Sequence, residues 1–226
     1  MTKTKRMTKA QAWEIVGGLS APSKMPETSY GLSALRCITG SALAKIPGTV
    51  CYDCYALKGR YMMPNVSEAH ARRQAALDRA MSDQEFFSLY VEAWKVLLRG
   101  VKHHRWHDSG DIQSASHLYM ITSIALATPD TEHWLPTKET GIVKEYLKGW
   151  GSFPSNLAVR ISASKVDKVY GSSGPTSMVY TTNSLPENAH VCPIYSRPDL
   201  KEANCADAGC FACWNKNVKT VAYPKH

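Results

Sequence analysis

The chain has 226 residues, of which 44% are hydrophobic, and its formal net charge is +8. This length and composition suffice for one large buried core, and no apolar run reaches the roughly 18 residues that a membrane-spanning helix needs, so we expect no membrane partner. The basic charge makes nucleic acid a candidate partner, whereas nothing in the composition indicates an oligomeric state. The first residues, MTKTKRMTKAQAWEIVGG, are basic without an apolar stretch, which predicts no secretory signal and a cytoplasmic location.

The first hundred residues predict helices around one long loop segment. Capping residues and apolar periodicity indicate three helices, the second capped by Ser67, and glycines end the first and third. The predicted elements are a helix over 8–17, a loop-rich segment over 19–66 with a strand near 28–35, and helices over 67–81 and 83–99.

From residue 103 onward, strand and helix patterns alternate. Strands are predicted over 103–111, 132–139, 156–164, 176–182 and 189–194, and helices over 114–128, 140–150 and 164–172. Such alternation is typical of parallel β/α units. We therefore predict an α/β fold, a partial or full (β/α) TIM-like barrel over 1–190 that includes an N-terminal cysteine loop. Residues 191–226 are expected to form a Cys-rich metal-binding tail packed on the same domain.

Polar residues follow three consecutive predicted strands. In a β/α barrel the carboxyl ends of the strands converge, so side chains far apart in sequence become neighbours there. His107 is a candidate for proton transfer, Asp108 and Asp111 for accepting hydrogen bonds from a ligand, and Lys138 or Arg160 for holding a carboxylate or phosphate. Glu139 and Ser162 lie at the same ends. The alternative is a buried ion-pair network, in which Arg160 pairs with Glu139 or Asp111.

The seven cysteines divide into two groups by spacing. The N-terminal cysteine group is Cys37, Cys51 and Cys54, and the tail cysteine group is Cys192, Cys205, Cys210 and Cys213. Each contains a CxxC pair, which is typical of metal ligands in a reducing compartment. Four thiolates can close a tetrahedral Zn²⁺ site or hold a [4Fe–4S] cluster, and three can hold a cluster that keeps one iron open.

The apolar and aromatic residues around CYDCYALKGRYMM favour iron–sulfur, with one or two [4Fe–4S] clusters. Zinc is the alternative cofactor, including a zinc ribbon built from Cys51, Cys54, Cys210 and Cys213, and inert or redox thiols are a third interpretation. We expect Trp214 to cover the tail site and His226 to be a candidate outer partner.

Several segments resemble a family of uncharacterised, mostly phage-encoded proteins. They are CYDCYALKGRY (51–61), RWHDSGDIQS (105–114), WLPTKE (134–139), NLAVRISAS (156–164) and the ending from Cys210 to VAYPKH. The resemblance covers most of the chain after residue 25. It implies the same organisation and, for a phage-encoded protein, the cytoplasm of the host.

The cysteine arrangement also resembles that of radical S-adenosylmethionine (SAM) enzymes, which are partial (β/α) barrels. The resemblance implies that the N-terminal cysteine group stands for their three-cysteine cluster motif, although thirteen residues separate Cys37 from Cys51. Ser109, Gly110 and Asp111 would stand for their Gly-Gly-Glu motif, so that Ser109 and Gly110, with Arg160 and Ser162, are candidate SAM-binding residues. The tail cysteine group would hold an auxiliary cluster.

A third resemblance is between HDSGDIQ and the Asp-Ser-Gly-Gly loop of the tRNA-guanine transglycosylase barrels. It implies a base-modifying enzyme in which Asp108 carries catalysis and the tail binds zinc. The sequence thus predicts an iron–sulfur protein, with a radical SAM-like enzyme as its leading form. The alternatives are the zinc-containing transglycosylase-like enzyme and a non-enzymatic module for electron transfer or nucleic-acid binding.

Overall fold

A computed structural model describes residues 6–181 and 185–225 of the chain. In these ranges the chain forms one seven-stranded sheet in which every neighbouring pair is parallel. The strands are β1 (Thr28–Tyr30), β2 (His103–Trp106), β3 (Glu132–Thr137), β4 (Leu157–Ser162), β5 (Thr176–Tyr180), β6 (His190–Val191) and β7 (Thr220–Pro224).

The order of the strands in the sheet is β1-β2-β3-β4-β5-β7-β6. Because β1 to β5 follow each other both in the chain and in the sheet, right-handed crossovers place their connections on one face. This confirms the prediction of an α/β fold built from parallel β/α units. Strands β1 and β6 are the two ends of the sheet, so no closure into a full barrel is seen within the described ranges.

Seven helices accompany the sheet in the described part of the chain. They are α1 (Lys9–Val16), α2 (Ile38–Leu43), α3 (Pro64–Ser82), α4 (Gln84–Leu97), α5 (Ala115–Ala127), α6 (Thr140–Trp150) and α7 (Pro193–Ser196). Short 3₁₀ turns occupy Ala34–Arg36, Tyr55–Leu57, Gly59–Met62 and Pro198–Leu200. None of the helices in these ranges has the length and hydrophobicity that a membrane span requires.

The helix boundaries follow local capping chemistry. Thr8 and Gln11 form a capping box at the start of α1, and Gly17 ends that helix in the left-handed region at φ 77°. Helix α3 begins at Pro64, earlier than the predicted cap at Ser67, because proline tolerates the first turn, where its missing N–H costs nothing. The Asp83 carboxylate caps α4 by accepting from two backbone N–H groups.

The structure differs from the sequence prediction at four elements, of which α2 and α7 are short helices that were not predicted. The helix expected over 164–172 is wrong, because this segment pairs with the cysteine loop through a bridge between Lys165 and Thr49. Strand β7 was not predicted, yet it lies between β5 and β6 in the sheet. The last predicted residue of the β5 segment, residue 182, lies outside the described ranges.

The two faces of the sheet are covered by different parts of the chain. One face packs against α1, α3, α4, α5 and α6 in the main core, which includes Tyr30, Trp94, Trp106 and Leu135. The other face carries a smaller core in which Trp134 meets Ala212, Cys213, Trp214 and Val221. The Cys-rich tail thus covers the face opposite the helices and supplies a strand to the same sheet.

Candidate functional site

Asp111 and Lys138 meet where β2 and β3 end. The Asp111 carboxylate accepts hydrogen bonds from the backbone N–H of Lys138 at 2.9 Å and from that of Ile112 at 2.8 Å. Burial raises the pKa of Asp111 to about 6, although these hydrogen bonds oppose the rise. The two residues from neighbouring strands are therefore brought together as the barrel-like prediction required.

Glu139 connects this edge of the sheet to the cysteine loop. Its carboxylate is buried and accepts from the backbone N–H of Thr39 at 2.8 Å and from the Thr39 hydroxyl at 2.7 Å. Thr39 lies two residues after Cys37, in the first turn of α2. A side chain at the end of β3 therefore positions the segment that carries the first cysteine.

The N-terminal cysteine group gathers at the same edge. Both the Cys37 and Cys51 sulfurs lie within 4 Å of the point where a Cβ would stand at Gly40. Burial raises the pKa of the Cys37 thiol to about 12, and the charges of Asp111, Cys54, Cys51 and Glu139 add to the rise. Burial also raises the pKa of Cys51, whereas the positive charge of Lys138 lowers it. The fold thus brings the three thiols close to one another and to the ends of β2 and β3.

His107 and Asp108 are buried beneath this edge. The Nδ1 of His107 lies 2.5 Å from the Tyr30 carbonyl oxygen, and its Nε2 is buried without a partner. Burial lowers the pKa of His107 to about 4, so the imidazole is neutral at pH 7 and a weak base, which does not favour the predicted role in proton transfer near neutral pH. Asp108 accepts from the Ser29 hydroxyl at 2.7 Å, and its backbone carbonyl accepts from the Tyr55 hydroxyl at 2.6 Å.

Ser109 and Gly110 have packing roles in this structure. The Ser109 hydroxyl donates to the Leu32 carbonyl at 2.7 Å and lies 3.2 Å from the Nε2 of His70. Gly110 has a φ of 80°, and an added Cβ would stand 2.8 Å from the Leu32 Cβ. Only glycine fits there, because the turn after β2 passes close to the turn after β1.

The structure separates Arg160 from the other strand-end residues. Its guanidinium is fully buried and donates to the carbonyls of Ala212, Cys213, Asn215, Val218 and Thr176. An arginine has five N–H donors, and each one is used here on the backbone. Arg160 therefore holds the tail on the sheet, and neither Glu139 nor Asp111 is among these partners. The remaining predicted residue, Ser162, has its hydroxyl 3.0 Å from that of Ser177 on β5.

The tail cysteine group also gathers in space. Burial raises the pKa of Cys205 to about 12, and the charges of Cys213, Cys192 and Cys210 add to the rise. The Cys213 sulfur lies 3.0 Å from the Tyr223 hydroxyl, and the Cys210 sulfur lies 3.3 Å from the Nε2 of His190. The backbone N–H groups of Ile194 and Tyr195 point at Cys192 and oppose the rise of its pKa on burial.

Trp214 belongs to the core beside the tail site. Its ring packs on Trp134 with the centroids 5.2 Å apart, and its indole N–H donates to the His104 carbonyl at 3.0 Å. Trp214 and Cys213 belong to the same buried cluster, and Cys210 packs against that cluster. Trp214 thus anchors the cysteine turn to the sheet, while His226 lies outside the described residues.

A cavity of about 470 Å³ lies between the cysteine loop and α3. The wall formed by α3 carries small and polar residues, among them Ser67, His70, Gln74 and Asp78, and Arg36 and Ala56 line the opposite side. Arg36 precedes Cys37, and His70 contacts Ser109 at the end of β2. A small ligand therefore has room between the cysteine loop and α3, although none of the three cysteines lines this cavity.

Sequence reasoning missed Arg105, which lies in β2 between the two cysteine groups. The charges that act on its guanidinium come from Tyr55 and Asp108 on one side and from Tyr223 and Cys213 on the other. The signal was present, because an arginine inside a strand of a parallel sheet covered on both faces is unusual. Tyr55 and Tyr223 each lie close to a cysteine. The sequence did not indicate this, because their other neighbours come from distant segments.

Zn²⁺ and a [4Fe–4S] cluster need different arrangements of their thiolate ligands. Among residues 6–181 and 185–225, no three or more His, Cys, Asp or Glu side chains are arranged to hold a metal ion. A tetrahedral Zn²⁺ needs its thiolates about 2.3 Å from one point. A [4Fe–4S] cluster takes one thiolate per iron, so its cysteines surround a larger body. Neither cysteine group therefore meets the single-ion requirement in the described ranges, and the cluster assignment stays a prediction.

The fold and the site define an α/β protein with an all-parallel sheet, a cysteine group at its strand ends and a second cysteine group in the tail. The chain belongs to the Gene product 88 family, whose model matches residues 2–225. This family fits the phage-type resemblance of the sequence, whereas the likeness to radical SAM enzymes stays a prediction. No match was found among curated proteins or among solved structures.

Proposed function

We propose that the protein is an iron–sulfur protein that holds one or two [4Fe–4S] clusters and acts as a radical SAM-like enzyme on a partial (β/α) barrel. One observation carries the proposal: the three thiols of the N-terminal cysteine group lie together beside Asp111, Lys138 and Glu139. A cluster bound by three cysteines supplies an open iron and an electron to a ligand held there.

The chain's own residues would hold and orient that ligand. Asp111, with its pKa near 6, accepts a hydrogen bond from an amino or hydroxyl group. Lys138 places a positive charge close to Cys51 and offsets part of the negative charge that thiolates bring. The neutral His107, with its buried and unpartnered Nε2, would offer a hydrogen-bond acceptor rather than a base.

The tail cysteine group would hold the second cluster. It has four thiols, enough for every iron of a cluster, in a turn that Arg160 fastens to the sheet. A cluster with no open iron suits electron transfer or structure rather than ligand binding. The two groups therefore differ in the chemistry that they can support.

Metal analysis of protein purified without oxygen tests the proposal. We expect about four iron atoms and four sulfides per cluster, together with the visible absorption of iron–sulfur charge transfer. Zinc without iron would contradict the proposal and favour the zinc-containing transglycosylase-like enzyme. Iron-containing protein that does not respond to added SAM would favour the non-enzymatic electron-transfer module instead.

Calorimetric titration with SAM tests the enzyme part. We expect binding by the iron-loaded protein and at least tenfold weaker binding by Asp111→Ala. Asp130→Ala is the matched control, because Asp130 is an exposed carboxylate away from the site. Nucleic acid, which only the basic charge suggests, is tested separately by the salt dependence of binding to a single-stranded oligonucleotide.

A further inference from the structure

Arg105 is a half-buried cation in β2 that packs on an aromatic ring and a thioether. In the sheet it lies opposite Ser29 of β1 and Trp134 of β3. Its guanidinium stands over the Trp134 ring, 4.5 Å from the centroid, and one of its terminal nitrogens contacts the Met25 sulfur at 3.2 Å. A thioether is a weak acceptor, so this contact satisfies the guanidinium poorly.

One donor of the guanidinium has no acceptor in the protein. The Nε of Arg105 is buried and has no hydrogen-bond partner. Within the described ranges, no carboxylate forms an ion pair with Arg105. The buried Arg160, by contrast, uses all its donors on carbonyls, and Arg73 donates to Gly18, Ser20 and Gly31. Tyr55 and Asp108 support the charge of Arg105 and its pKa is raised, so the unmatched feature is its single buried Nε–H donor, which an added anion would satisfy.

Arg105 lies between the two cysteine groups and is bordered by tyrosines. The positive charge of Arg105 acts on Tyr55, Tyr61 and Tyr195, and it also acts on Cys205 and Cys213 of the tail. Tyr55 and Tyr61 pack edge to face with their centroids 5.5 Å apart. Phenol hydroxyls and aromatic edges beside a cation favour a planar ligand that ends in an oxyanion.

We propose that Arg105 binds the oxyanion, carboxylate or phosphate, of a substrate between the two cysteine groups. The unpartnered Nε and the terminal nitrogens form the planar fork that such a group accepts, and the Trp134 ring holds the fork in place. That the bound anion belongs to a substrate rests on the proposed function, whereas anion binding by Arg105 does not require a cluster.

Calorimetry with inorganic phosphate and with acetate, on iron-loaded and iron-free protein, tests this inference. We expect saturable binding of one of the two anions, which identifies the oxyanion as phosphate or carboxylate. Arg105→Gln should weaken it at least tenfold, and Arg105→Lys, which keeps the charge but not the fork, should weaken it less. Arg197→Gln is the matched control, since Arg197 is an exposed arginine paired with Asp199, and its binding should equal that of wild type.

Each outcome bears on a different claim. Saturable anion binding that the Arg105 variants weaken would support the Arg105 site with or without iron. Protein purified without oxygen that contains no iron would count against the iron–sulfur function, whatever the anion result. Iron-loaded wild type that binds neither anion would overturn the Arg105 site and leave the iron–sulfur function standing. Equal anion binding by wild type and both Arg105 variants would also overturn the Arg105 site. If Arg105→Gln does not fold, the comparison of wild type with Arg105→Lys tests the site.

Discussion

The Glu139 carboxylate accepts two hydrogen bonds from Thr39, one from its backbone N–H at 2.8 Å and one from its hydroxyl at 2.7 Å. One hundred positions separate the two residues, so this contact joins the end of β3 to the helix that follows Cys37. The N-terminal cysteine group is therefore positioned by the sheet and does not depend only on its own loop.

Replacing Glu139 by Gln should reduce iron at the N-terminal cysteine group. The amide keeps one acceptor oxygen and turns an N–H₂ toward the other donor, so one hydrogen bond is lost at a cost of about 1–3 kcal/mol. We expect iron per chain to fall toward the content of the tail site alone. Glu145→Gln on the exposed side of α6 should keep wild-type iron, and an unchanged Glu139→Gln would show that the contact does not position Cys37.

Replacing Cys210 or Cys213 by Ser should remove the metal of the tail and destabilise the fold. Metal binding at such a site is part of the folding free energy, so each variant should lose roughly half of the iron if two clusters are present. Iron analysis and thermal unfolding measure the two effects. A triple Ser variant of the N-terminal cysteine group is the reciprocal control, which should lose the other half. Full iron in both tail variants would refute a shared tail centre.

Arg160→Lys should destabilise the protein without a direct effect on ligand binding. An ammonium offers three donors and cannot reach all the carbonyls that the guanidinium satisfies, so buried acceptors are left unpaired. At least two of the five hydrogen bonds are lost at about 1–3 kcal/mol each, so we expect a loss of about 2–6 kcal/mol in the free energy of unfolding, measured by urea titration. Arg79→Lys, at an exposed position in α3, should change it little, and a loss no larger in Arg160→Lys would contradict the structural role.

Acid should destabilise the fold through His133. Its Nδ1 accepts from the Trp106 indole N–H at 3.1 Å, and its Nε2 is 2.9 Å from the Thr128 hydroxyl, so the imidazole is held neutral. Burial lowers its pKa from 6.5 to about 3 in the folded protein. As the pH falls below 6.5, the unfolded chain takes up a proton that the folded chain refuses, and stability is lost until the pH reaches about 3.

Between pH 7 and pH 5 this residue alone should cost on the order of 2 kcal/mol. The measurement is urea unfolding of wild type and His133→Asn at both values. The variant should start less stable at pH 7 and lose less on acidification, because the other buried histidines contribute equally to both proteins. An identical loss in the two proteins would contradict the assignment.

The sequence by itself determined the parallel β/α organisation and the division of the cysteines. Helical and strand periodicities are local properties, since a side chain's face follows from its position along the element, and they gave correct types for β1 to β6 and α1, α3, α4, α5 and α6. CxxC spacing is local too. The grouping of three and four thiols therefore needed no tertiary information, and the thiols of each group indeed lie together.

Only the tertiary structure decided what Arg160, Arg105 and the tail do. Strand β7 is short and lies at the end of the chain, and its place between β5 and β6 depends on pairing with residues far away in sequence. That pairing lays the tail across the sheet face opposite the helices, where its carbonyls take every donor of Arg160. Arg105 on the same sheet keeps one unpartnered donor, because no acceptor of the tail reaches its Nε. Arg105 in β2 and Arg160 in β4 look alike in sequence, and the acceptors that the folded tail places around each one give them different roles.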